Sequence, residues 1–184
     1  MAVRPHTDET LAIRPIRADD SERLRAHHHR LSPESRYRRF LSAKPELTSA
    51  DVSYLVDIDG CDHHALVATV PGPDGAEEIV GVARYIRFPE HREVAEVAVV
   101  VADGYQHRGI GSELVARLAA AAVERGVRRF RATMLADNFA VQRLFASLAD
   151  GPVERRRLGS LVEMDFALPG ADHAGDDCGA VLVA

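Results

Sequence analysis

The sequence predicts a single α/β (α+β) domain, one mixed sheet with helices on both faces. Three observations lead there. Segments with strand-like alternation and segments with helical periodicity follow one another as β, helices, β, β, β, α, β, α, β, β, an order that layers helices on a sheet. At 184 residues, 46% apolar and 28% charged, the chain fits one ordinary domain that can build its core without disulfides or metal. No internal repeat and no shift in composition marks a second domain, so residues 1–168 read as one unit.

Each element has a local reason. Thr10–Ile16 (TLAIRPI) alternates and ends near a proline, as a first strand does. Asp19 or Asp20 caps a helix running to about Leu31. In LSPESRYRRFL, Ser32 is a cap, Pro33 takes the first helical position and Glu34 sits in the first turn. Thr48 or Ser49 caps a third helix whose apolar face includes Leu55 and Val56. The strands His63–Val70 and Glu78–Phe88 flank PGPDGAE, a hairpin loop by its Pro, Asp and Gly content. Glu93–Val101 is an apolar strand, followed by a glycine-containing turn. The helix Gly109–Arg125 then places Ile110, Leu114, Val115, Leu118 and Val123 on one broad face, with Gly126 as its C-terminal cap. Val127–Leu135 is a strand, Asn138–Ala149 a helix, and VERRRL with SLVEMDFAL a closing strand pair. The Gly- and Asp-rich stretch 169–184 reads as a lightly packed tail.

Composition narrows the function classes. A net charge of −5 argues against broad nucleic-acid affinity and suits a cationic partner. Cys61 and Cys178 are far apart and in no metal-ligand spacing, which predicts reduced thiols and a cytoplasmic setting. The first residues, MAVRPHTDETLAIRP, lack the apolar core of a signal peptide, and no apolar run approaches the length of a membrane span.

The turn after Val101 admits three glycine chemistries. A P-loop needs Lys and then Ser or Thr after its second glycine, but Ile110 and Gly111 follow Gly109. A dinucleotide fingerprint needs a third glycine where Leu114 stands. The third is a strand, Q-x-x-G-x-G and a helix, supplied by Gln106, Gly109 and Gly111. Backbone N–H groups from Gln106 to Ser112 then converge at a helix N-terminus, where a pyrophosphate fits, with His107 and Arg108 adding positive charge.

These residues resemble the GNAT-type N-acetyltransferases. The resemblance rests on VVVADGYQHRGIGSELV and on LADNFAVQRLF about thirty residues later, and it spans roughly Thr10 to Leu168. IRPIRADD, LSPESRYRRF, ALVA, IVGVAR and AEVAVVV further resemble the catalytic domains of Pat-type bacterial protein lysine acetyltransferases. The resemblance implies a GNAT fold with a single mixed, mostly antiparallel sheet, and acetyl-CoA as co-substrate without a metal. It implies that the pyrophosphate lies on Gln106, His107, Arg108, Gly109, Ile110, Gly111 and Ser112. The pantetheine arm would enter a splay between the strands Glu93–Val101 and Val127–Leu135, pairing with backbone groups of Val99 and Val101, with Asn138 helping to fix it. The acceptor would be a primary amine, foremost a protein lysine such as one on an acyl-CoA synthetase.

Glu96 is the one acid within the apolar segment Val94–Ala102. An ammonium with a pKa near ~10.4 must lose a proton before it can attack a thioester, so a base is needed. Alternation puts Glu96 on one face with Val94, Ala98 and Val100, where desolvation is expected to raise its pKa. The other reading of the residues is an ion pair with Arg84 or Arg131. In the Pat-type resemblance, the Glu of AEVAVVV matches the family's general base. The family's Tyr, seven residues after the helix-opening Asn, is replaced by Phe145, expected to pack beside the cofactor arm.

Other candidates read as bland. His27, His28 and His29 are successive on a helix and point apart, so they form no metal site and suit a solvated helix. His63 and His64 default to the surface, although one could approach the substrate. Arg36, Arg38 and Arg39 could contact substrate but suit a solvated face. Asp172, His173, Asp176, Asp177 and Cys178 lie in the Gly-rich tail as polar residues rather than ligands. Ser147 has no base partner. The rival functions are a small-molecule amine acetyltransferase and a non-catalytic acyl-CoA-binding module.

Overall fold

The computed structural model describes residues 11–73 and 75–171. Its strands are β1 (Ala12–Pro15), β2 (His63–Pro71), β3 (Glu77–Phe88), β4 (His91–Val101), β5 (Arg129–Leu135), β6 (Glu154–Leu158) and β7 (Leu161–Ala167). They form one sheet in the order β1-β2-β3-β4-β5-β7-β6. Every neighbouring pair is antiparallel except β4 and β5. The helices are α1 (Ser21–Arg30), α2 (Pro33–Phe40), α3 (Ser49–Val56), α4 (Ile110–Glu124) and α5 (Phe139–Leu148). This is the mixed, mostly antiparallel sheet with helices on both faces that the sequence predicts.

The two faces have separate cores. Ile110, Leu114, Val115 and Leu118 of α4 are buried with Val97, Phe130, Met164 and Phe166 of the sheet. That is the face the 3.6-residue period predicts, extended by Ala119 and Ala122. On the opposite face, Leu24 of α1 and Val52, Leu55 and Val56 of α3 pack on Ala65, Val67, Ile79 and Val82. The helices α2 and α3 begin on side-chain caps, Ser32 accepting from the Ser35 N–H and Thr48 from the Asp51 N–H.

Several expectations need correction. Asp20 precedes α1 but does not cap it with its side chain. Its fully buried carboxylate instead accepts both Arg14 Nη atoms, at 2.7 and 2.8 Å, and the Arg17 N–H. The helix α1 is not solvated all round: His27 and His28 are each 2% exposed, and their ring nitrogens face the Ile79 and Lys44 carbonyls. His64 is buried as well. The segment after Leu168 is packed as far as Ala171, which joins the core and accepts a hydrogen bond from Arg128. Cys61 is disulfide-bonded rather than a free thiol. Thr10 and the stretch 172–184, with its acidic and cysteine residues, lie outside the described residues. No described helix is long and apolar enough to cross a membrane.

Candidate functional site

The site begins where two parallel strands part. β4 and β5 stay in register for three pairs only, Val94 with Arg129, Ala95 with Phe130 and Glu96 with Arg131. Beyond Glu96 the strands diverge. The Ala102 N–H donates to Val80 on β3. Alternation therefore turns the backbone groups of Val99 and Val101 to the opposite edge, toward the gap. A cleft of about 490 Å³ opens there, a size typical of small-molecule sites. Its walls include Val99, Val101, Gln106, His107, Gly109, Ile110, Gly111, Ser112 and Asn138.

The turn is shaped to present N–H groups. His107 and Gly109 both adopt left-handed backbone, with φ of 60° and 81°. Such alternation of hand makes a concave nest of amides. Gly109 is the N-cap of α4 and contributes no side-chain cap. The first intrahelical bond runs from the Glu113 N–H to the Gly109 carbonyl, so the N–H groups of Ile110, Gly111 and Ser112 precede the ladder. At Gly111 an added Cβ would lie 3.6 Å from Val101 and 3.8 Å from Leu144, both cleft residues. Glycine thus leaves that wall recessed. Gln106 reaches back with its side-chain amide, donating to the Val101 carbonyl at 3.1 Å and to Ser35 at 3.4 Å. Asn138 caps α5 by accepting from the Val141 N–H.

A second wall comes from α2. Asp103 accepts from the Ser32 N–H and from the hydroxyls of Ser32 and Ser35, at 2.8–2.9 Å. These bonds hold the start of α2 against the glycine turn, and Ser32, Ser35, Arg38 and Arg39 line the cleft. Arg38 pairs with Glu34 at 2.8 Å and reaches Asp137 across the mouth at 4.0 Å. Arg36 points away and ties the Leu31 and Pro45 carbonyls.

Not every predicted residue joins this cleft. Arg108 lies outside its lining and stacks on Tyr105, with 4.9 Å from guanidinium to ring centre. Phe145 is 1% exposed and packs on Phe166 in the core; Val141 and Leu144 face the cleft instead. Glu96 sits at the point of divergence but is exposed, not desolvated among apolar neighbours. Neither expected ion pair forms. Arg84 donates to the Leu55 carbonyl and contacts His63, while Arg131 binds Asp165 at 3.0 Å and stacks on Phe88. The α2 wall was visible in sequence only as an arginine-rich helix. Among the described residues, no group of three or more His, Cys, Asp or Glu could hold a metal.

Comparison with known proteins gives this arrangement a context. The acetyltransferase (GNAT) family model matches residues 25–149. The acetyltransferase Pat of Mycolicibacterium smegmatis is 37% identical over 147 residues, 79% of this chain and 43% of that protein. This chain therefore spans less than half the length of that relative. An acetyltransferase of Pseudomonas aeruginosa is 38% identical over 136 residues, 74% of this chain and 72% of its own length. Among solved structures, the GNAT domain of S. lividans PAT aligns over 90% of this chain and 100% of that domain, with a TM-score of 0.75 and 32% identity.

Proposed function

The chain belongs to the GNAT acetyltransferase family, and from that premise we propose that it transfers the acetyl group of acetyl-CoA to a primary amine, foremost a protein lysine, with Glu96 as general base. The observation that carries the reading is the coincidence of Glu96 with the apex of the splay. It is the last residue of β4 in register with β5, three residues before Val99, where β4 begins to line a cleft whose far wall is a nest of backbone amides. A pyrophosphate on the Gln106–Ser112 turn directs the pantetheine arm along Val99 and Val101 toward that apex.

The chemistry then needs few parts. The Glu96 carboxylate takes a proton from the acceptor ammonium. The freed nitrogen attacks the thioester carbonyl, the N–C bond forms, and the C–S bond breaks. CoA leaves as a thiolate, tolerable for a group of pKa near ~8.5, so no dedicated acid is required where the family often has Tyr. The core position of Phe145 supports that part of the reading.

The preference for a protein acceptor rests on access and on the Pat-type resemblance. Glu96 is exposed, and its sheet face continues over β5, β7 and β6 through the registered residues Arg131, Asp165 and Glu154. All of β6 is exposed. An open charged face suits a macromolecular acceptor, whereas a small amine calls for an enclosed pocket. The test is turnover of acetyl-CoA across amine metabolites and lysine-bearing proteins, acyl-CoA synthetases included. CoA release only with proteins supports the reading. Release only with small amines selects the small-molecule alternative, and binding without turnover selects the non-catalytic one.

A further inference from the structure

Two guanidinium groups near the reacting end of the cleft have no carboxylate partner. Arg39, in the last turn of α2, lines the cleft beside Val99 and Val100. Its neighbour Arg38 is committed to Glu34. Arg39 has no hydrogen bond or ion pair among the described residues; its guanidinium lies 5.0 Å from the centre of the Phe40 ring. Behind it, a cavity of about 30 Å³ is shared by Arg39, Arg84, His27 and Val100. Arg84 is 4% exposed. It meets only neutral groups, the Leu55 carbonyl at 3.2 Å and His63 Nε2 at 2.9 Å, and its Nε is buried without a partner.

The surroundings offer little compensation. His27 donates from Nδ1 to the Ile79 carbonyl, and burial followed by the charge of Arg30 pushes its pKa down to about 4, so the ring is neutral. His63 is likewise held near about 4, by burial and then by Arg84. Burial lowers the pKa of Arg39, and Arg84 falls to about 9 through burial and then the charge of Arg39. Glu96 is the acid whose charge reaches Arg39, yet it lies beyond ion-pair distance. Burying cations without a counter-ion is unfavourable, and such an arrangement is stabilised by an arriving anion.

We propose that the reacting end of the cleft binds a carboxylate, with Arg39 as its counter-ion and Arg84 as a second positive charge behind it. The inference rests on the reading that an acyl-CoA occupies the cleft. The carboxylate has two possible sources, the far end of a dicarboxylic acyl group or a carboxylate on the acceptor near its amine. Both put the anion within a few bonds of the thioester, beside Arg39.

Calorimetric titration separates the sources. The first arm compares succinyl-CoA with butyryl-CoA, which has the same four-carbon chain without the terminal carboxylate. The second saturates the protein with CoA and compares β-alanine, whose carboxylate lies close to its amine, with β-alaninamide. A salt-bridged hydrogen bond predicts tighter binding of the carboxylate form in one arm by roughly 10-fold or more. That preference should fall to about one in Arg39→Gln and survive in part in Arg39→Lys, which keeps the charge but not the fork. Ratios near one in both arms of the parent overturn the inference, as does a preference unchanged in Arg39→Gln. If Arg39→Gln melts well below the parent, Arg39→Met, which keeps an apolar stem, replaces it. Failure of CoA itself to bind the parent refutes the cleft assignment and this inference with it. CoA binding without carboxylate preference refutes only the inference.

Discussion

Gly111 is the position where a small added side chain tests the cleft most cleanly. It lies in the first turn of α4 with free space toward the cleft, and an added Cβ meets Val101 at 3.6 Å and Leu144 at 3.8 Å, ordinary contact distances. Gly111→Ala therefore fits the fold. It should raise stability, since glycine inside a helix costs about 0.5–1 kcal/mol relative to alanine. Gly111→Val keeps most of that gain but adds two γ-methyls, which must crowd Val101 and Leu144 or project over the turn. If a pyrophosphate sits on the Gly109–Ser112 amides, the valine blocks at least two charge-assisted hydrogen bonds. At about 1.5–3 kcal/mol each, the loss is roughly 100- to 10,000-fold in CoA affinity. Titration with CoA by calorimetry, with thermal melts alongside, measures both quantities. The expected pattern is a melting temperature within a few degrees of the parent and a collapse of CoA binding for Gly111→Val. A Gly111→Val protein that binds CoA as tightly as the parent would refute the placement of the phosphates.

Two further outcomes follow from the buried residues. Phe145→Tyr places a hydroxyl in the core against Phe166, where an unpaired polar group costs about 1–3 kcal/mol. The melting temperature should drop by several degrees, with turnover per folded molecule within a few-fold; a large rate increase would show that thiolate protonation limits turnover. His27 is neutral and buried in the folded chain, with its pKa lowered from 6.5 to about 4 by burial first and Arg30 second. The unfolded state thus binds the extra proton, and stability present above pH 6.5 is lost as pH falls from 6.5 toward about 4. The full contribution is on the order of 3 kcal/mol. Urea unfolding at pH 7.0, 5.5 and 4.5 should show a decline that is shallower in His27→Gln; equal slopes would contradict the buried neutral ring.

Much of this architecture is legible in the chain because short-range signals dominate it. The α4 stripe, the Pro–Asp–Gly hairpin and the Q-x-x-G-x-G turn each state their conformation within a dozen residues. What escaped were properties set by distant segments. Alternation correctly puts Glu96 on a face with Val94, Ala98 and Val100, but it cannot say that the neighbouring face over β5 stays open, which is why Glu96 is exposed. His27 and His28 look solvated on their helix until β3 and the loop after α2 supply carbonyls at Ile79 and Lys44. Arg39 reads as one of several surface arginines; only the Asp103 clamp on Ser32 and Ser35 turns α2 onto the cleft. On α5, one residue of helical phase separates Leu144 at the cleft from Phe145 in the core. Family spacing alone does not resolve that difference.

The central claim is that Glu96, at the parting of β4 and β5, accepts the proton of the attacking amine. Glu96→Gln keeps the size and some hydrogen bonding of the side chain but cannot take up that proton. No ion pair is broken, because neither Arg84 nor Arg131 pairs with Glu96. A general base contributes roughly 100- to 10,000-fold. With an acceptor found in the turnover screen, CoA release at neutral pH should fall by about that factor while acetyl-CoA affinity stays within about two-fold. Part of the loss should return at higher pH, where more amine arrives deprotonated. A Gln variant that turns over at the parental rate, with parental pH dependence, contradicts the account.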